Sequence, residues 1–358
     1  MATPNPIGVG DAPHEGVTTP PLRPLPVGKL HPDLLSRLLR FKGWPDERVM
    51  IGPAIGQDAA VIDLGDRYLV AKSDPITFAS QDIGWYLVQV NANDLATTGA
   101  TPRWLLVTLL LPEAATTPEM AQGIMEQIDA ACRELRIAVV GGHTEVTHGL
   151  PRPIVVGHLL GEVQKDHLVT TAGAKVGDDL LLVKGIAIEG TSIIARERGA
   201  ELLERGYSER LVQRARRYLH DPGISVVREA RLAIETGGVH AMHDPTEGGL
   251  VTGLHEMAQA AQVGLWIDRE AVPILPESAA LCAEFGLDPL GTIASGALLV
   301  AASHDKTPEL ESAFSKAQVP CATIGAVTPQ ALGLKMKSGA ATMALPRFDQ
   351  DEITRLFC

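Results

Sequence analysis

The chain has only four cysteines, Cys132, Cys282, Cys321 and Cys358, and no two of them form a Cys-x-x-Cys pair. That spacing argues against a zinc knuckle and a disulfide framework, and it predicts reduced thiols in a cytoplasmic setting. No stretch reaches the roughly 20 unbroken apolar residues that span a bilayer, and the first residues have neither a basic start nor an apolar run. Neither export nor membrane insertion is expected. Positive charge is also short: 31 Lys and Arg face 43 Asp and Glu, a net charge of −12. Such a surface repels phosphate backbones and anionic lipid, so neither a nucleic acid nor a membrane is expected as partner. A small anion would need a locally positive pocket or a metal.

The usual nucleotide and hydrolase signatures are missing too. Residues 185–191 have glycine spacing but lack the lysine that reaches the phosphates in a P-loop. There is no G-x-S-x-G elbow, no H-E-x-x-H, and no G-x-G-x-x-G set between a strand and a helix.

What is present is apolar and periodic. The 358 residues, 45% hydrophobic, suffice for two domains with separate cores. Residues 1–27 are dense in proline, which removes amide donors and predicts a disordered tail. Two apolar runs flank Gly65-Asp66, a two-residue connection suited to a primed hairpin turn. A helix is expected from Asp82 to Thr98, closed by Gly99, and a second from Thr117 with Pro118 at its first position. The short runs 104–111, 137–140 and 154–160 read as buried strands. An α+β domain over 28–165 results. Residues 166–345 alternate strands and helices in the manner of a layered α/β domain, and 346–358 form a C-terminal tail.

The chemistry-bearing residues are acidic. Asp58 precedes the first hairpin strand in Gly56-Gln57-Asp58, and Asp74 ends the second, where Pro75 biases it toward extended geometry. Asn91 and Asp94 sit three apart on one face of the 82–98 helix, and polar groups in so apolar a helix must be satisfied. Gly141-Gly142-His143-Thr144-Glu145 follows a strand, where paired glycines would let a phosphate approach the backbone. Asp244-Pro245-Thr246-Glu247-Gly248-Gly249 leads into a helix whose first amides suit an anion. Hard carboxylates at strand ends are what Mg²⁺ prefers.

These motifs, with Asn93-Asp94-Leu95-Ala96, Gly99-Ala100-Thr101-Pro102 and Gly177-Asp178, occur in the order of a known superfamily over about residues 28–345. The chain resembles the aminoimidazole ribonucleotide synthetase (PurM-like) enzymes, among them thiamine-monophosphate kinase, selenophosphate synthetase and the hydrogenase maturation factor HypE. Residues 281–290 look most like HypE, which dehydrates a carbamoylated C-terminal cysteine with ATP to make a cyanide ligand for nickel-iron hydrogenases. Two departures stand out. HypE proteins end in Pro-Arg-Ile-Cys, whereas here Pro346-Arg347 lies upstream of Leu356-Phe357-Cys358. Ile293-Ala294-Ser295-Gly296 also stands where an Asn-Glu-Gly-like segment belongs.

The resemblance implies a PurM-like two-domain architecture whose first domain forms half of a β-barrel completed by a second subunit, hence a homodimer. It implies ATP and Mg²⁺ as cofactors, with Asp58, Asp74, Asp94 and Asp244 as metal ligands. Gly56, Asn93, Gly141, Gly142 and Thr144 would line the nucleotide, as would Thr246 and Gly248. Asp94, His143, Glu145 and Cys358 would carry the chemistry, with His143 or Glu145 moving the proton. The expected activity is phosphorylation of a carbonyl or carbamoyl oxygen, with a small molecule or the C-terminal tail as acceptor and another maturation protein as partner. The alternatives are a small-molecule kinase with a diffusible acceptor, and a nucleotide-binding assembly protein that turns nothing over.

Overall fold

The Gly65-Asp66 turn forms as the sequence predicts. Leu64 N donates to Arg67 O at 3.0 Å, and Gly65 takes φ 101°, which a primed turn needs at its first central position. The turn joins β2 (Ala60–Asp63) to β3 (Arg67–Ile76), which pair antiparallel from Asp63↔Tyr68 to Ala60↔Ala71. The computed structural model describes residues 25, 30, 32–55, 57, 59–77 and 81–357. The proline-dense segment before residue 25, Gly56, Asp58 and Cys358 therefore lie outside the described residues.

With β1 (Val49–Ile51), β4 (Thr101–Pro112), β5 (Ala138–Thr147) and β6 (Ile154–Gln164), these strands form a six-stranded sheet ordered β1-β2-β3-β6-β4-β5. Helices α2 (Ile83–Ala96) and α3 (Pro118–Leu135), which follow the short α1 (Pro32–Leu38), pack on it through Leu87, Leu95, Ile124 and Ile128. Thr117 caps α3, its hydroxyl accepting from Met120 N at 3.2 Å. Most of α2 is buried, because the sheet covers one side of it while Tyr86 packs with Ile188, Leu219 and Ile224 on another.

The other face of this sheet is open. Trp104, Leu106, Thr108 and Leu110 of β4 alternate with fully buried Leu105 and Leu109 and are only half-buried. β5 corrects the sequence reading. The run expected to be a short buried strand over 137–140 is an edge strand over 138–147, exposed along almost its whole length, with Val139 and Val140 42% and 54% accessible. Gly141-Gly142 thus lies within the strand. A Cβ on Gly142 would stand 1.8 Å from Val107 O, so this glycine serves the parallel pairing to β4, whose register shifts at Leu105/Leu106.

The second sheet runs β13 (Ala341–Ala344), β12 (Leu334–Ser338), β9 (Gly264–Asp268), β11 (Cys321–Thr328), β7 (Asp178–Val183), β10 (Leu298–Ser303), β8 (Val239–His243). All its pairings are antiparallel except β9 with β12. One face packs on α8 (Gly249–Ala261) through Leu250, Leu254 and Met257. The other packs on α7 (Val227–Thr236) and α10 (Thr307–Lys316) through Ala230, Leu310 and Phe314. Helices α4 (Ile188–Glu197), α5 (Gly199–Glu204), α6 (Glu209–Arg216) and α9 (Pro276–Glu284) form a further helical layer. Helix α7 and strands β1, β12 and β13 are additions to the sequence reading. Among the described residues, no helix is long and apolar enough to cross a membrane.

The C-terminal tail is docked rather than extended. Leu345 is buried beside α8, Phe348 covers Gly291, and a 3-10 turn over Glu352–Leu356 buries Ile353 and Leu356 among α4, α6 and α9.

Candidate functional site

The site is assembled where β3 runs under α2. Residues two apart on a strand share a face, so Lys72 and Asp74 point the same way as Val70, which is buried under α2. There they meet Asp94. Lys72 Nζ lies 3.0 Å from Asp94 Oδ2 and 3.4 Å from Asp74 Oδ2. The Lys72 and Asp94 side chains are 13% and 7% accessible, and Asp74 is more open at 36%. Asn91, one turn before Asp94, fixes the geometry: its Oδ1 accepts from Asp74 N at 3.1 Å, and its Nδ2 donates to Leu87 O at 2.9 Å and Asp74 O at 3.4 Å. A buried ion pair with few exits to solvent is stable only when its members are mutually satisfied. The donor set suits a hard divalent cation, since both carboxylates present oxygen from rigid elements.

Asn93, expected at the nucleotide, is a domain clamp. Its Nδ2 donates to Ile224 O at 2.8 Å and its Oδ1 accepts from Val226 N at 2.8 Å, so backbone across the domain boundary takes both ends of the amide. His143 and Glu145 are bonded to each other at 3.1 Å. They lie opposite Thr108 and Leu110, on the open face of the sheet, whereas Lys72, Asp74 and Asp94 are on the helix-covered face. Two strands, β6 and β4, separate β3 from β5. A single chain therefore does not bring the expected proton movers to the aspartates. Thr144 lies opposite buried Leu109 in the same strand, and Gly141 precedes Gly142 there.

The second-domain motif follows β8. Asp244 is buried just beyond β8, while Thr246 O accepts from Gly249 N at 3.0 Å and Ala294 N at 3.2 Å. The helix-terminal amide expected to meet a phosphate, Gly248 N, donates to Asp351 Oδ2 at 2.6 Å, so an anion from the chain's own tail fills that place. Among the described residues, no three His, Cys, Asp or Glu side chains are arranged to hold a metal. Of the four expected metal ligands, the structure brings Asp74 and Asp94 together, leaves Asp244 in the second domain, and does not describe Asp58.

Three residues escaped the sequence reading: Lys72, Asp351 and Glu189. Lys72 was findable, because Lys72-Ser73-Asp74 in a strand puts both charges on one face. Glu189 sits in the first turn of α4, and its Oε2 has no hydrogen-bond partner among the described residues. Burial pushes its carboxyl up to about 7, opposed by a hydrogen bond with Ser295 and reinforced by the charges of Glu247 and Asp351. Because the folded state holds this proton more tightly than the unfolded chain, stability is highest below the unfolded value. It falls as pH rises toward about 7 and is level above that. Glu189→Gln is therefore expected to flatten this fall. Between about pH 5 and pH 8 it should gain up to about 3 kcal/mol relative to the parent, read from thermal unfolding midpoints. Parallel pH profiles for the two proteins would refute the assignment.

Two family models match the chain: "AIR synthase related protein, N-terminal domain" over residues 56–163 and the corresponding C-terminal domain over 175–337. A putative hydrogenase expression/formation protein of Methanocaldococcus jannaschii is 28% identical over 258 residues, 69% of this chain and 72% of that protein. The carbamoyl dehydratase HypE of Cupriavidus necator is 30% identical over 249 residues, 68% of this chain and 67% of its own. A crystal structure of the hydrogenase maturation protein HypE in complex with ATP superposes with TM-score 0.67 at 24% identity, covering 84% of this chain and 92% of that one. That likeness establishes the fold.

Proposed function

The chain belongs to the AIR synthase related family, and from that premise we propose that it is an ATP-using, Mg²⁺-dependent enzyme that phosphorylates a carbamoyl oxygen and dehydrates the product. The observation that carries this reading is the Asp74–Asp94 pair held by Asn91 at the junction of β3 and α2. A Mg²⁺ ion held by Asp74 and Asp94 would neutralise the phosphates. Asn91 keeps the Asp74 backbone fixed, and Asn93 keeps the two domains at a set separation. In the reaction, the carbamoyl oxygen attacks the γ-phosphorus and the bond to ADP breaks. The imidoyl phosphate so formed then loses its C–O bond, leaving a nitrile and inorganic phosphate. One proton leaves nitrogen in each step, the second departing with the phosphate.

The active form is a homodimer in this reading. The open sheet face carries half-buried Trp104, Leu106 and Leu110, apolar surface that a second copy would cover. His143 and Glu145 lie on that face and would serve a site completed by the other copy. The setting is cytoplasmic, with a hydrogenase maturation protein as partner, and Asp58 and Asp244 complete the metal and nucleotide contacts.

One observation favours a second reading. Residues 345–356 are packed against the second domain, so a substrate carried on Cys358 would in this reading be delivered by release of a docked tail. A diffusible acceptor, as in thiamine-monophosphate kinase, needs no such release. Mass spectrometry of the C-terminal peptide separates the two. After carbamoylation and incubation with Mg·ATP, the Cys358 peptide should lose the mass of one water, and Cys358→Ala should show no such product. ADP formation with a free acceptor that is equal in both proteins would transfer the assignment to the kinase. No ADP under any condition would leave an assembly protein.

A further inference from the structure

We propose that Lys72 is a built-in counter-ion that competes with the divalent cation, so that metal loading depends on nucleotide. The inference rests on the Mg·ATP reading above and adds a device to it. The Lys72 ammonium is within ion-pair distance of both carboxylates that would hold the metal, at 3.0 and 3.4 Å. It cannot simply turn away. Lys72 shares the buried face of β3 with Val70 and Asp74, its side chain is 13% accessible, and Lys72 is paired with Leu159 of β6 in the middle of the sheet. The carboxylates are equally constrained, because Asn91 ties the Asp74 backbone to α2 and Asp94 is buried in α2 itself.

The electrostatic consequence is direct. Of the charges the structure describes here, Asp74, Asp94 and Lys72 together carry a single negative charge, and a divalent ion entering alone would meet the ammonium's repulsion at contact distance. A triphosphate bound beside the pair would change the balance by sharing the ammonium's charge where it stands, which would leave both carboxylates freer to hold the metal. In a chain of net charge −12, this arrangement keeps the pair from collecting divalent ions when no nucleotide is bound.

The test is Mn²⁺ binding to the full-length protein, followed by electron paramagnetic resonance with and without a non-hydrolysable ATP analogue. The parent should bind Mn²⁺ weakly alone and at least about ten-fold more tightly with the analogue. Lys72→Met should bind Mn²⁺ alone about ten-fold more tightly than the parent and lose most of the coupling, while Lys72→Arg, which keeps the charge, should retain it. Because Lys72→Met removes the ammonium beside Asp94, Mn²⁺ alone should also raise its melting temperature more than the parent's. Equal Mn²⁺ affinity in Lys72→Met and parent, or a Lys72→Arg protein that behaves like Lys72→Met, would overturn the proposal while leaving the Mg·ATP reading standing. If no variant binds Mn²⁺ even with the analogue, both fall together.

Discussion

Asp94→Asn is expected to lower Mg²⁺-dependent ATP turnover by about a thousand-fold, roughly 4 kcal/mol of transition-state stabilisation, with little change in fold. The substitution preserves shape, so α2 keeps its packing between the sheet and the second domain. What it removes is a charge in a site only 7% accessible, where solvent cannot stand in for a missing oxygen ligand. Lys72 retains Asp74 at 3.4 Å, so the ammonium is not stranded and the melting temperature should move little. Asp74→Asn should cost less than Asp94→Asn, because that carboxylate is 36% accessible and water can replace part of its role. Steady-state ADP release, with a melting curve as control, decides the matter. Turnover of Asp94→Asn within ten-fold of the parent would remove Asp94 from the chemistry.

How legible this pair was in the sequence depends on the range of the interactions involved. Strand period and the bias of Pro75 place Asp74 in an extended segment, which β3 carries two residues further to Ile76, and helical period places Asn91 and Asp94 on one face of α2; both are local properties. That a polar group in α2 needs a partner was also local, but which partner was not. Asn91 found β3, 17 residues away, and Asn93 found Ile224 and Val226 in the second domain. The same limit applies to β5. Gly141-Gly142 marks a close backbone approach, and only the register with β4 reveals that Val107 approaches Gly142. The face on which His143 and Glu145 emerge follows from that register too. Gly248 N meets a carboxylate 103 positions away, and nothing local to residues 246–249 points to it.

That carboxylate leads to the second large expected effect. Asp351 accepts from three backbone amides: Gly248 N at 2.6 Å, Ile353 N at 2.8 Å and Ile293 N at 3.2 Å. Asp351→Ala leaves these donors without their acceptor beneath a packed tail, at a cost of about 1–2 kcal/mol each and so about 4 kcal/mol in all. The loss should appear as a lower urea midpoint, and hydrogen exchange at amides 248, 293 and 353 should quicken selectively. Asp351→Asn, which keeps one acceptor oxygen, should lose about half as much. The tail's other anchors bear on function as well as stability. Ile353 and Leu356 are buried among α4, α6 and α9, and Arg198 donates to Leu356 O. If Cys358 carries the carbamoyl group, undocking precedes chemistry, so Asp351→Ala should speed dehydration while it weakens the fold. If the acceptor diffuses freely, the same substitution should leave the rate unchanged. A protein with Asp351→Ala that is as stable as its parent, and that exchanges those three amides no faster, would show that the tail is held by other contacts.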